Sequence, residues 1–167
     1  MHTRHIDIYL LQETWLTKDW ETTINGIQIF YHGPDKATCN RGTGGVAIML
    51  STKAQAAWTA AGRPTLLRPG TEVDNTTRVM GIELLIQGAT KQQKRVFVMN
   101  IYAPTTDHEI KTPGITEKFY TSLQQHIHKH TSPSSHTIVG GDWNAKIGKR
   151  KLDEEDAPYL GPTGLPQ

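Results

Sequence analysis

The chain has 167 residues, 36% of them hydrophobic and 20% charged, with 18 Lys and Arg against 16 Asp and Glu and a formal net charge of +2. These proportions describe a folded globular chain rather than a disordered one, at a length that suits one domain. No glycine period, sustained heptad or internal repeat points to a collagen, coiled-coil or solenoid architecture. The longest apolar runs, residues 8–11 and 46–50, fall far short of the ~18–20 residues of a membrane-spanning helix. The opening residues 1–5 carry no apolar signal core, and the single Cys39 has no cysteine partner for a disulfide or a structural zinc site. An intracellular location, nuclear or cytoplasmic, is the expectation that follows. The mild basic bias is compatible with nucleic-acid contact without requiring it.

Residues 6–11 read as a strand that ends at Gln12-Glu13-Thr14, which puts Glu13 at the carboxyl end of a buried element. Thr17 is placed to cap a short helix through Thr23, Asn25-Gly26 marks a turn, and Ile27, Ile29 and Tyr31 alternate as the next strand. Residues 41–45 form a glycine-rich turn into a strand over 46–50. They lack the spacing of a P-loop or dinucleotide fingerprint, so Arg41 is at most a phosphate-backbone contact. Residues 54–69 show no clean period and are expected to be loop or weak strand. Residues 78–86 and 95–103 predict an antiparallel hairpin with an exposed, basic tip, closed by Pro104. The four-residue recurrence of Ile115, Phe119, Leu123 and Ile127 predicts an amphipathic helix beginning near Thr112-Pro113. A short strand over 137–139 then breaks into Gly140-Gly141-Asp142-Trp143-Asn144. Strands with a helix packed outside favour an α/β or α+β fold.

Polar side chains stand at the ends of three of these strands. They are Glu13, the pair Asn100 and Tyr102, and the pair Asp142 and Asn144. Alternation puts Asn100 and Tyr102 on the same face as Val96 and Val98, with Phe97, Met99 and Ile101 on the other. A polar group on an otherwise apolar face needs a reason. Taken singly, each has an ordinary explanation: a solvated strand end for Glu13, a buried ring for Tyr102, an Asx turn for Asp142. His126, His128, His130 and His136 are best explained as a solvated helix end, since no carboxylate or cysteine joins them at ligand spacing. The cluster Lys146, Lys149, Arg150 and Lys151 follows Asn144 directly. It is either an exposed loop whose charge Asp153, Glu154, Glu155 and Asp156 nearly cancel, or a set of DNA phosphate contacts.

Taken together and in order, Leu11-Gln12-Glu13-Thr14-Trp15-Leu16, Arg41-Gly42-Thr43-Gly44-Gly45-Val46-Ala47, Asn100-Ile101-Tyr102-Ala103-Pro104 and Val139-Gly140-Gly141-Asp142-Trp143-Asn144 resemble the endonuclease/exonuclease/phosphatase superfamily. The likeness is to the apurinic-endonuclease-like domain of non-LTR retrotransposons. It implies a four-layer α/β/β/α sandwich of the DNase I type, here partial, and a Mg²⁺- or Mn²⁺-dependent hydrolase that nicks DNA, in a protein that also carries a reverse transcriptase. By the same likeness Glu13 is a metal ligand, Tyr102 contacts or orients the phosphate, Asp142 orients or deprotonates the attacking water, and Asn144 keeps the phosphate and Asp142 in register. The family also has an Asn-bearing strand ahead of the Glu motif and a Ser-Asp-His motif after the Asp-x-Asn motif, and neither is found here. The chain is therefore expected to be a single incomplete domain of impaired activity. A phosphatase or lipid phosphodiesterase of the same superfamily is one alternative, and a catalytically dead nucleic-acid-binding or interaction module is another.

Overall fold

The computed structural model describes residues 6–34, 44–64, 66, 78–88, 92–131 and 135–145. Arg41, Cys39, Lys146, Lys149, Arg150 and Lys151, together with part of the hairpin tip, lie outside them. The described elements are β1 (Ile8–Gln12), β2 (Trp20–Ile24), β3 (Ile27–His32), β4 (Val46–Leu50), α1 (Thr52–Ala60), β5 (Val79–Gln87), β6 (Gln93–Tyr102), α2 (Thr106–Lys111), α3 (Ile115–His130) and β7 (His136–Asp142).

The strands form two sheets, one of order β1-β4-β3-β2 and one of order β5-β6-β7. All neighbours in the first sheet run antiparallel. In the second, β5 and β6 form the expected hairpin, and β6 lies parallel to β7. A parallel pair needs a long crossover, which α2 and α3 supply. The inner faces of the two sheets pack through Phe30, Val46, Ile48 and Leu50 on one side and Met80, Ile82, Val96 and Val98 on the other. A second apolar layer, with Phe97, Met99 and Ile101 against Phe119 and Leu123, seats α3 on the far face of the second sheet. From Val96 onward strand β6 is therefore buried on both faces, and its two-residue alternation sorts its side chains between the two layers as its sequence predicts.

Two expectations are corrected. The residues expected as a helix over 17–23 instead give strand β2, which pairs with β3 from Trp20 opposite Tyr31 to Ile24 opposite Ile27. Trp20, Thr22, Thr23 and Ile24 are aromatic or β-branched, and the turn joining the strands puts Asn25 at φ 51° and Gly26 at φ 76°. Two successive left-handed residues make the tight turn whose twist suits a two-residue hairpin. Residues 54–69, expected as loop or weak strand, instead begin in helix α1. Ser51 caps it, its hydroxyl accepting from the Ala54 amide at 3.3 Å. Alanine supplies the helix propensity that the absent periodicity concealed. Trp58 then packs edge-on against Phe30 at 4.9 Å.

Strand β3 also buries the face that its apolar alternation does not mark. Gln28, Phe30 and His32 point inward, while Ile27, Ile29 and Tyr31 are half-buried on the other face. Partners make this arrangement possible: Gln28 accepts from Thr23 at 2.7 Å and from Gln55 at 3.3 Å, and His32 Nδ1 lies 2.5 Å from Asp19. Buried polar groups are tolerated where such partners are in place.

Helix α3 starts at Ile115, after Gly114 in a left-handed conformation with no side-chain cap of its own. The missing cap comes from α2. Glu109 accepts from the Gly114 amide at 2.7 Å and from the Thr116 amide at 2.9 Å. Those bonds, that from Gly114 foremost, hold the Glu109 carboxyl below its ordinary pKa of 4.5. Because the folded value lies below the unfolded one, the stabilisation is complete above the ordinary carboxylate range and is lost as pH falls through the lower folded value. Thermal melting against pH should show the wild-type chain more stable than Glu109→Gln at neutral pH, with the difference shrinking as pH falls below the ordinary carboxylate range.

Candidate active site

Strand β6 ends in Asn100, Ile101 and Tyr102, and its outer two face inward. Asn100 is fully buried. Its amide nitrogen donates to the Leu11 carbonyl at 2.7 Å and to the Ala47 carbonyl at 2.8 Å, so one side chain ties β6 to both β1 and β4. Its oxygen accepts from the Gln12 amide at 2.5 Å. This satisfies the polar group on an apolar face and fixes the end of β1, one residue before Glu13.

Two residues further along the same face, the Tyr102 hydroxyl donates to the Glu13 carboxylate. Glu13 itself adopts φ 52°, in the left-handed region. The backbone beyond it is fastened to the turn before β4, with Thr14 N–H on Gly45 O at 3.3 Å and Trp15 N–H on Gly44 O at 3.1 Å. A left-handed glutamate held by its surroundings is a geometry that folds maintain where a side chain must be aimed. Gly45 has little freedom to be anything else, since it sits at φ 82° and a Cβ there would lie 2.5 Å from the Thr14 hydroxyl.

Asp142 reaches the same place from β7. In the parallel register Tyr102 is opposite Asp142 and Asn100 is opposite Gly140, so Asp142 emerges beside the phenol. The two glycines before it are there for space. A Cβ at Gly141 would meet the Ile101 carbonyl oxygen at 2.0 Å, and one at Gly140 would meet Leu10 at 2.6 Å. Past the strand, the Asn144 amide N–H donates to Asp142 Oδ1 at 2.9 Å while its side-chain amide donates to the Ala103 carbonyl at 2.6 Å. Asn144 thus steadies Asp142 through its backbone and anchors the loop to β6 through its side chain.

Burial first, then the hydrogen bond to Glu13 and its negative charge, push the Tyr102 phenol up to about 12, with Asp142 adding to the rise and Arg78 opposing it. The phenol keeps its proton across the neutral range. Arg78 was not expected at the site from sequence. It is buried, its guanidinium lies 5.2 Å from the centre of the Tyr102 ring, and it donates to the Tyr102 carbonyl at 3.3 Å. A charged residue directly before the apolar run Val79-Met80-Gly81-Ile82 is the available signal for it. Gln12 was missed too, although it stands next to Glu13.

Of the expected site residues, Glu13, Tyr102, Asp142 and Asn144 gather at one end of the two sheets. Arg41, Lys146, Lys149 and Arg150 lie outside the described residues. Of the histidines, His126, His128 and His130 stand apart on α3, where His126 bonds the Ser122 carbonyl at 2.7 Å and stacks on His130, and His130 stacks on Phe97, while His136 opens β7. Burial, with Lys129 and His126 nearby, lowers the His130 pKa. No group of three or more His, Cys, Asp or Glu side chains able to hold a metal ion occurs among the described residues. Glu13 and Asp142 nonetheless offer hard carboxylate oxygens, both on exposed residues, and Mg²⁺ characteristically takes one or two carboxylates and completes its shell with water and phosphate. The donors present fit such an ion.

Two sheets packed face to face, with helices outside and the polar groups collected at one end, make a mixed α/β sandwich of the DNase I-like type. The chain superposes on the crystal structure of the Xenopus laevis APE2 catalytic domain with a TM-score of 0.65 at 15% sequence identity. The match covers 95% of this chain and 57% of that domain, so the chain spans little more than half of its length. No protein-family model and no curated protein matches the sequence.

The burial of Asn100 gives a direct test. Asn100→Leu leaves the Leu11 and Ala47 carbonyls and the Gln12 amide without their shared partner, and urea unfolding should show a loss of about 2–3 kcal/mol.

Proposed function

We propose that the chain is the catalytic part of a metal-dependent DNA endonuclease of the retrotransposon type, cutting a phosphodiester held between Glu13, Tyr102 and Asp142. The observation that supports this reading most is the convergence of those three side chains from β1, β6 and β7, in the order of the motifs that suggested them. The likeness of those motifs to non-LTR retrotransposon domains supports a place beside a reverse transcriptase in the same protein.

Glu13, with Asp142 near it, would hold a Mg²⁺ or Mn²⁺ ion, which when bound supplies Lewis acidity at the phosphate and at the leaving oxygen. The chain's own groups do the positioning. Tyr102, protonated at neutral pH, fixes the Glu13 carboxylate by its hydrogen bond and presents a phenol where phosphate charge would build up. Asp142, one oxygen steadied by the Asn144 amide, keeps the other for a water molecule, which it orients or from which it takes a proton. Arg78 adds a fixed positive charge behind the ring.

The chain is expected to be impaired on its own, so plasmid nicking by a longer chain that also carries the Asn-bearing strand and the Ser-Asp-His motif tests the assignment. Glu13→Gln and Asp142→Asn should each abolish nicking, and EDTA should stop the wild type. Tyr102→Phe should lower the rate about a hundredfold, the usual cost of one donor at a developing charge. With the phenol's pKa near 12, the wild-type rate should show no alkaline limb near pH 10, the ordinary range for tyrosine. Nicking that survives both carboxylate substitutions and EDTA would refute the assignment.

A further inference from the structure

Three of the four tryptophans have their rings engaged. Trp20 packs edge-on against Tyr31 at 5.5 Å, Trp58 lies against Phe30 and under Arg63, and Trp143 stacks parallel to Tyr120 at 6.4 Å. Among the described residues, Trp15 alone has no aromatic or cationic partner on its ring. It is also the most exposed of the four, at 59%.

The placement of this ring is constrained. Trp15 follows Glu13 by two residues, and its backbone, like that of Glu13, is left-handed, at φ 57°. A bulky aromatic residue rarely adopts that conformation, and its cost is sustained by the surrounding structure. Here the bond from Trp15 N–H to Gly44 O sustains it. A Cβ at Gly44 would lie 3.9 Å from the Tyr102 ring, so the strand turn that holds Trp15 also borders the phenol. The loop therefore spends backbone energy to keep a large apolar ring in water at the rim of the Glu13–Tyr102 centre. Core packing cannot account for that, because the ring is not in the core. On the same loop Lys18 is exposed, and the neighbouring Asp19, itself 42% exposed, is engaged by the buried His32 at 2.5 Å. An exposed, unengaged indole is a platform on which proteins stack a base of a nucleotide chain, and a cation on the same loop favours the phosphate backbone.

We infer that Trp15 is a nucleobase-stacking residue, receiving the base of a nucleotide that flanks the scissile phosphate. This rests on the endonuclease reading and extends it to a substrate feature: a base that stacks on an indole must be free of its own stack. Single-stranded or locally unpaired DNA should therefore bind more tightly than a fully paired duplex.

Fluorescence anisotropy with a labelled single-stranded oligonucleotide, in Ca²⁺ in place of Mg²⁺ to separate binding from cleavage, tests this. A second probe of the same length carries abasic deoxyribose in place of its nucleosides. Trp15→Ala should weaken binding to the base-bearing strand roughly tenfold or more, Trp15→Phe should restore most of it, and neither substitution should change affinity for the abasic strand. Circular dichroism should be the same for all three proteins. The inference is overturned if Trp15→Ala binds the base-bearing strand as the wild type does, as it would were the ring a protein-contact residue. It is equally overturned if both probes are weakened alike, or if the wild type binds neither. The endonuclease reading fails by a separate observation, persistence of nicking in Glu13→Gln and Asp142→Asn, so the two failures are distinguishable.

Discussion

Asn100 holds the two sheets at a fixed spacing where the chemistry would occur. Its amide reaches across the sandwich to two carbonyls on two different strands, and its oxygen takes the neighbouring Gln12. Inside an apolar layer each of those bonds is strong because its loss would leave a buried group unpaired. Hydrophobic packing alone would allow the sheets to slide by fractions of an ångström. A directional clamp does not, and the positions of Glu13 and Tyr102 relative to each other follow from it.

Strand β6 is suited to this task because it is buried on both faces. The Val96–Val98 face and the Phe97–Met99–Ile101 face each contribute to a different apolar layer, so the strand is the rigid member against which the site is assembled. Glu13 and Asp142 are the exposed terminal groups of β1 and β7, placed at β6 by pairing and by the clamp. Three of the six left-handed non-glycine residues among those described, Glu13, Trp15 and Asn144, lie here, with the Gly140–Gly141 pair making room for close strand contact. The cost of these local conformations is offset by the well-packed layers behind them.

Much of this was legible in the sequence, for definite reasons. The strands β1 and β3 to β6 and helix α3 follow from runs and periods long enough to be unambiguous, whereas β7 continues through the Gly140-Gly141 pair that reads as a break after three residues, and the polar positions on the β6 face stand out because alternation makes them exceptions. Glu13, Tyr102, Asp142 and Asn144 were found as strand-end groups, and their meeting at one end of the sandwich depends on sheet order, which local pattern does not contain. Strand β2 is hidden from local pattern because a capping threonine and a short polar run resemble a helix start, whereas tertiary pairing with β3 decides the matter. Helix α1 was missed because alanine has propensity without periodicity. The inward turn of Gln28 and His32 was invisible because it depends on partners, Thr23, Gln55 and Asp19, that only the fold brings near. Arg78 is illegible for the same reason, since its partner, Tyr102, is 24 positions away in the chain.

A paramagnetic ion offers the most direct examination of a metal-dependent centre at the meeting of β1, β6 and β7. Titration of Mn²⁺ into the isotopically labelled protein should broaden the NMR signals of Glu13, Tyr102 and Asp142 first, and Glu13→Gln should remove that broadening. Broadening confined to His126 and His130 on α3, with the signals of Glu13, Tyr102 and Asp142 untouched, would contradict it.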